Sequence, residues 1–279
     1  KLAGAVAYGD YKKTINDSSI LKIALEYTKT FGGRVVSFCQ DEFLSQNGVI
    51  NESIVSTELG LKGIPDISES INIYRDIQIL SYTNGKLHIP YVNTKQGVEL
   101  IRDAKKRNLD ITASTSLPHL IFSDKDINEF NTNLKLNPPL RSEIDCNSVK
   151  EGLIDGTIDY ITSMHEPLDA DNKKVVFDLA SSGSIGLESV FGNMCNNFTL
   201  EKTIDILTRN KSIFEIKDHP IEKGSHADLT LFNPDKSYEF SNEHILSTSK
   251  NCAYLGTKLK GIVYGSINNN NSTLNSLWT

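Results

Sequence analysis

Short apolar runs alternate with stretches of helical period along most of the chain. The runs at residues 3–8, 34–39, 87–92, 111–116 and 159–164 are small or β-branched and apolar on both alternating sets, which is how a strand covered on both faces reads. Between them, residues 19–30, 64–83, 94–108 and 148–155 repeat apolar positions at intervals of three and four. Ile67, Ile71, Tyr74, Ile77 and Leu80 form the clearest amphipathic stripe. Strand, helix, strand in this rhythm predicts an α/β fold with a parallel sheet and right-handed crossovers, either an open doubly wound sheet or part of a (β/α)8 barrel.

Local signals punctuate the pattern. Ser123, with Asp124 and Asp126 behind it, and Ser148, with Glu151 three residues on, read as helix starts; Gly85 and Gly156 read as left-handed helix ends. Beyond Met164 a long polar segment leads to two further helical patterns, at 186–195 and 200–216. From Lys223 the chain turns β-rich, with an alternating strand closed by Pro234 and another at 260–267. Residues 268–279 are polar and expected to fray. The division expected is 1–220 for the α/β unit and 221–279 for a small β-rich segment and tail.

Composition narrows the function classes. The net charge of -6 and scattered basic residues argue against a nucleic-acid partner. No apolar run approaches the roughly 20 residues that span a bilayer, and no signal-peptide pattern opens the chain, so a cytoplasmic protein without membrane contact is expected. Cys39, Cys146, Cys195 and Cys252 form no CxxC and read as buried or free thiols. A strand pattern already at residue 3, with no initiator Met, implies that further chain normally precedes Lys1. A barrel lacking its first strands would leave two unpaired edges.

Several segments, taken in order, carry a resemblance: Gly4-Ala5-Val6-Ala7, Gly48-Val49-Ile50-Asn51-Glu52, Gly60-Leu61-Lys62-Gly63-Ile64-Pro65, Leu87-His88-Ile89-Pro90-Tyr91, Asn137-Pro138-Pro139-Leu140-Arg141, Glu151-Gly152-Leu153-Ile154-Asp155-Gly156 and His226-Ala227-Asp228-Leu229. Together they resemble the dihydroorotases, and more broadly the cyclic amidohydrolases. The resemblance implies the last five strands of a (β/α)8 barrel plus part of a small composite β domain. It also implies reversible cyclisation of carbamoyl aspartate to dihydroorotate in pyrimidine synthesis. The reaction needs one or two zinc ions to lower the pKa of a bound water, and a carboxylate to carry its proton.

Matched to that family one position at a time, the metal-facing residues are replaced. The bridging carboxylate falls at Tyr11, the two strand-end histidines at Phe38 and Tyr91, and the Asp that is both ligand and base at Met164. His165 is retained beside Met164, while Leu168 stands where a substrate-contacting His belongs. Phe has no lone pair, thioether is a weak zinc ligand, and neutral phenol is an uncommon one. No cofactor is expected. Asn137, Arg141 and Gly183 remain as substrate-contact positions, with Ser182 in place of Gly183's apolar neighbour.

The reading that follows is a non-catalytic dihydroorotase homologue acting as a structural or regulatory partner, either of aspartate transcarbamoylase or of its own copies. The alternative is an active hydrolase with an atypical metal site using His165 and Asp10. Elsewhere, His88 lies three residues before Tyr91 and is expected on the opposite, outer face, and His119 is expected to be structural. His219, His226 and His244 show no ligand spacing, and Gly183-Ser184-Ile185-Gly186 follows no clear strand as a phosphate loop would.

Overall fold

The computed structural model describes residues 1–217, 219–268 and 271–274. Its first half is strand, helix, strand, as the periodicity requires: β1 (Ala7–Tyr8), α1 (Ser18–Lys29), β2 (Arg34–Val36), α2 (Glu42–Ser45), β3 (Ile50–Asn51), α3 (Ile54–Leu59), β4 (Gly63–Ile64), α4 (Ile67–Thr83) and β5 (Leu87–Ile89). There follow α5 (Lys95–Lys106), β6 (Ile111–Ser116), α6 (Leu117–Ile121), α7 (Glu143–Asp155) and β7 (Tyr160–Thr162). Then come α8 (Val190–Asn197), α9 (Leu200–Thr208), β8 (Asp228–Glu239), β9 (Lys258–Asn268) and β10 (Asn271–Leu274).

Five strands form one sheet in the order β1-β2-β5-β6-β7, every pair parallel. Between this sheet and the helices α1, α4, α5 and α7 lies the main core, with Leu21, Leu25, Ile73, Leu80, Leu87, Ile89, Ile101 and Leu153 all at 0% exposure. Burying each such side chain contributes about 1.5–3 kcal/mol. A second apolar cluster sits at the strand ends and joins Ile50, Ile127, Leu134, Leu136, Leu140, Met164 and Phe177. The chain ends in an antiparallel sheet, β10-β9-β8, and β3 pairs with β4 in a short parallel ladder.

The elements depart from the sequence reading where side-chain pattern and backbone pairing differ. β6 is as read, but the other core strands are shorter: their ladders stop before the ends of the apolar runs, and Tyr91 and Met164 near two of those ends have left-handed backbones. α7 begins at Ser142, not Ser148: its hydroxyl accepts from Asp145 N at 3.3 Å while the Asp145 carboxylate takes the Ser142 N–H, a capping box built with Asp. α4 ends on Asn84 in the left-handed region (φ 51), so Gly85 is not the cap; Gly156 is (φ 82). The pattern at 200–216 divides into α9 and a short 3-10 turn over Lys211–Phe214. Pro234 does not close β8, which runs on to Glu239 with its register shifted between Asn233 and Ser237. Residues 271–274 are paired as β10 rather than frayed, while 269–270 and 275–279 lie outside the described residues.

Candidate functional site

In a parallel sheet the C-terminal ends of the strands are where chain segments leave the ladder with free side chains, and sites gather there. The loops after β1, β2 and β5, with residues of β5, β6 and β7 themselves, enclose a cavity of about 340 Å³ whose walls include Asp10, Tyr11, Lys12, Phe38, His88 and Tyr91. Tyr11 Oη donates to Glu166 Oε1 at 2.8 Å, and the Lys12 ammonium pairs with the same carboxylate oxygen. Lys12 Nζ also lies 5.2 Å from the Tyr91 ring centre, a cation–π contact. Phe38 meets Tyr91 edge to face, with centroids 6.4 Å apart.

Met164 lies in the neighbouring apolar cluster, against which Tyr91 packs. It is 4% exposed, packs into the strand-end apolar cluster and accepts the Ser116 hydroxyl at its sulfur, Oγ to Sδ 3.2 Å. Tyr91 and Met164 both have left-handed backbones (φ 58 and φ 49), a region that bulky side chains seldom occupy and that requires support from the packing around them. Burial holds the Tyr91 phenol above its ordinary value, and at Tyr11, a residue 70% exposed, desolvation of the hydroxyl end and its bond to the Glu166 carboxylate act the same way, so both remain neutral hydrogen-bonding groups. Burial lowers the Lys12 ammonium while Glu166 opposes the shift.

Tyr11, Phe38 and Tyr91 line the cavity, Met164 lies in the apolar cluster that Tyr91 packs against, and each is engaged in packing or hydrogen bonding. For the zinc that the resemblance also implies, this donor set does not fit: it offers a phenyl ring, two neutral phenols and a thioether already holding a hydroxyl proton. Among the described residues no group of three or more His, Cys, Asp and Glu is arranged to hold a metal ion. His165 Nδ1 accepts from Leu187 N at 3.3 Å and lies 3.9 Å from Glu188. Asp10 is exposed in the loop after β1.

The substrate-contact positions are spread more widely. Asn137 is half-buried and precedes a cis peptide bond to Pro138. Arg141 is 1% exposed, and its Nη1 donates to Asn51 Oδ1 (2.9 Å) and to the Ile64 carbonyl (2.7 Å), tying the loop to β3 and β4. Gly183 has φ 139, and a Cβ there would come within 3.0 Å of Glu166 Cβ, so the position needs glycine twice over. Leu168 N donates to Asn251 Oδ1 at 3.1 Å. Ser182 is half-buried beside Gly183.

Two histidines clarify the site's supports. His88 is not on the outer face. Its ring lies among Thr112, Ser114 and Tyr160 on the cavity side, with Nδ1 2.9 Å from Thr112 Oγ1 and Nε2 2.8 Å from Tyr160 Oη. Parity counting from Tyr91 fails because β5 ends at Ile89 and the left-handed Tyr91 reverses the alternation. His119 is buried and structural in its contacts, bridging Ser116 Oγ (2.6 Å) and the Pro138 carbonyl (3.0 Å).

The chain is similar in sequence to one named group of proteins and in fold to another. No protein-family model matches the chain. A protein named dihydroorotase from Endomicrobium trichonymphae is 41% identical over 269 residues, covering 94% of this chain and 64% of that protein. Another so named, from Acetivibrio thermocellus, is 39% identical over 278 residues, covering 97% of this chain and 65% of that one. The chain is a homologue of dihydroorotases. It spans about 64% of the length of these curated relatives. Among solved structures, a D-hydantoinase matches with TM-score 0.81 at 20% identity over 97% of this chain and 64% of that one. The L-hydantoinase (dihydropyrimidinase) of Arthrobacter aurescens matches with TM-score 0.83 at 18% identity over 98% and 65%. Likeness at this identity establishes the fold, an α/β arrangement with a parallel sheet like that of amidohydrolase barrels.

Against that background, the residues that sequence reasoning overlooked are Lys12 and Glu166. Each stands beside a position already singled out, Tyr11 and His165. The available signal was complementary charge at the ends of two strands, too common a feature to mark a contact across 154 residues of chain.

Proposed function

We propose that this chain is part of a dihydroorotase-like protein of the cyclic amidohydrolase group, carrying the last five strands of its barrel over residues 1–220 and a composite β segment over 221–279. In this reading it does not cyclise carbamoyl aspartate and serves in the cytoplasm as a structural partner in pyrimidine synthesis, aspartate transcarbamoylase being the partner the resemblance implies. The observation that carries the reading is Met164. At the position where the reaction needs a metal-binding carboxylate, an apolar side chain is packed at 4% exposure and satisfies a neighbouring hydroxyl. Glu166, the carboxylate closest in sequence, is held by Tyr11 and Lys12.

The test is made on the purified full-length protein. Expected are less than stoichiometric zinc by metal analysis, carbamoyl aspartate turnover at background, and co-purification with aspartate transcarbamoylase as a complex of defined stoichiometry. Stoichiometric zinc together with turnover well above background would sink the proposal and restore an active enzyme.

A further inference from the structure

A second cavity, of about 470 Å³, opens between the turn at Thr132, the segment after Leu168 and the stretch from Thr248 to Asn251. Its charge runs against that of the molecule. The chain carries a net -6, yet this cavity is lined by Lys173, Lys174 and Lys250 against a single acid, Asp169.

Lys173 gives the cluster its meaning. The residue is 7% exposed and its ammonium donates to the carbonyls of Thr132 (2.8 Å) and Ser181 (2.7 Å), and among the described residues no carboxylate forms the ion pair that burial of a cation ordinarily demands. Behind it Lys135, 6% exposed, is spent the same way on the carbonyls of Phe177 and Asp178, both at 2.8 Å. The acid that acts on Lys173 electrostatically, Glu166, is already held by Lys12 and Tyr11. Burial, and then the charge of Lys135, lower the Lys173 ammonium to about 8. An anion in the cavity would relieve both effects. Of the other two cations, Lys250 bonds the Ile245 carbonyl at 2.8 Å, and Lys174 is exposed at the rim.

We propose that this cavity binds a small oxyanion, phosphate or carboxylate, between the ammonium groups of Lys173 and Lys174, with Lys250 and the hydroxyls of Thr248 and Ser249 completing the wall. Ammonium groups are compact point charges suited to oxyanions, and hydroxyls add neutral donors. The site is independent of the metal question. It also touches the first cavity's frame: Asn251, in its wall, donates to the carbonyls of Glu166 (2.9 Å) and Gly183 (3.3 Å). Occupation would therefore stiffen the loop after β7.

Calorimetric titration of the full-length protein with inorganic phosphate, and separately with succinate, tests the site and distinguishes the two oxyanion sources. Expected is saturable binding of at least one of them, weakened roughly tenfold or more in Lys174→Glu, as loss of a charge-assisted contact implies. Lys260→Glu, which makes the same change of charge on β9, should leave it unaltered. Thermal unfolding in phosphate against sodium chloride of equal ionic strength gives a second readout, with the shift lost in Lys173→Met. Absence of binding by both anions, or equal weakening by Lys174→Glu and Lys260→Glu, would overturn the proposal.

Discussion

At the scale of single residues, Met164 shows how a side chain with one weak acceptor is built into a core. Its side chain is surrounded by Leu134, Leu136, Leu140 and Phe177 of the strand-end cluster, and its sulfur answers the Ser116 hydroxyl. Placing a carboxylate there by Met164→Asp would bury a charge in an apolar cluster, with Lys12 already paired to Glu166. The expected cost is about 3 kcal/mol, the scale of an unpaired buried charge. Met164→Leu keeps volume and polarity and should cost less than about 1.5 kcal/mol. Urea denaturation of both variants checks the pair, and equal midpoints would contradict the account. Glu166 is the corresponding case on the polar side. Removing it by Glu166→Ala takes the acceptor from Lys12 and Tyr11 at once and should lower the urea midpoint by loosening the contact between the loops that follow β1 and β7.

At the scale of elements, Glu69 joins α4 to the start of α5. Its carboxylate is 3% exposed and accepts from the N–H groups of Asn93 and Thr94 and from the Thr94 hydroxyl at 2.7 Å. Gly97 lies in the first turn of α5, and a Cβ there would fall 2.4 Å from Glu69 Oε1. In an isolated helix Gly→Ala stabilises by about 1 kcal/mol. Here Gly97→Ala is expected to destabilise by about 1–3 kcal/mol, because the buried carboxylate has no room to withdraw. A rise in the thermal midpoint of Gly97→Ala would refute that. Such junctions explain what the sequence could reveal. Helix α4 and strand β6 were legible as elements, but the stripe drawn on α4 is not its buried face: Ile67, Ile71 and Tyr74 are exposed, and Ile73, Ile77 and Leu80 face the core, while β6 is buried on both faces. The start of α7 was not legible, because Ser142 and Asp145 cap it with an acid other than the expected Glu. The face of His88 was hidden by a backbone reversal at Tyr91 that no side-chain pattern announces. Arg141 was visible as a residue, but its tie to Asn51 and Ile64 depends on two segments more than 70 positions away.

Across the whole molecule, buried titratable groups on separate elements set the response to acid. Burial, then the charges of Arg34 and Lys105, push His88 down to about 3; burial, opposed by the Pro138 carbonyl, pushes His119 to about 3. Both pKa values lie below the unfolded value of 6.5, so their stabilisation is present above pH 6.5 and is lost as pH falls toward the folded value. Glu69 acts in the other direction. Burial, opposed by Arg141, raises it from 4.5 to about 7, so its contribution is complete below pH 4.5 and is lost as pH rises through 7. Between about pH 6.5 and 5 each histidine should cost about 1–2 kcal/mol while Glu69 returns a similar amount, leaving a net loss of about 1–2 kcal/mol from the three groups. Glu69→Gln removes the offset, and its acid loss over the same interval should roughly double, to about 3 kcal/mol. Urea unfolding at the two pH values, for the unsubstituted protein and the variant, measures this difference of slopes directly. Parallel pH dependences would show that Glu69 keeps its charge in the fold, with Arg141 and the Asn93 and Thr94 N–H groups outweighing its burial.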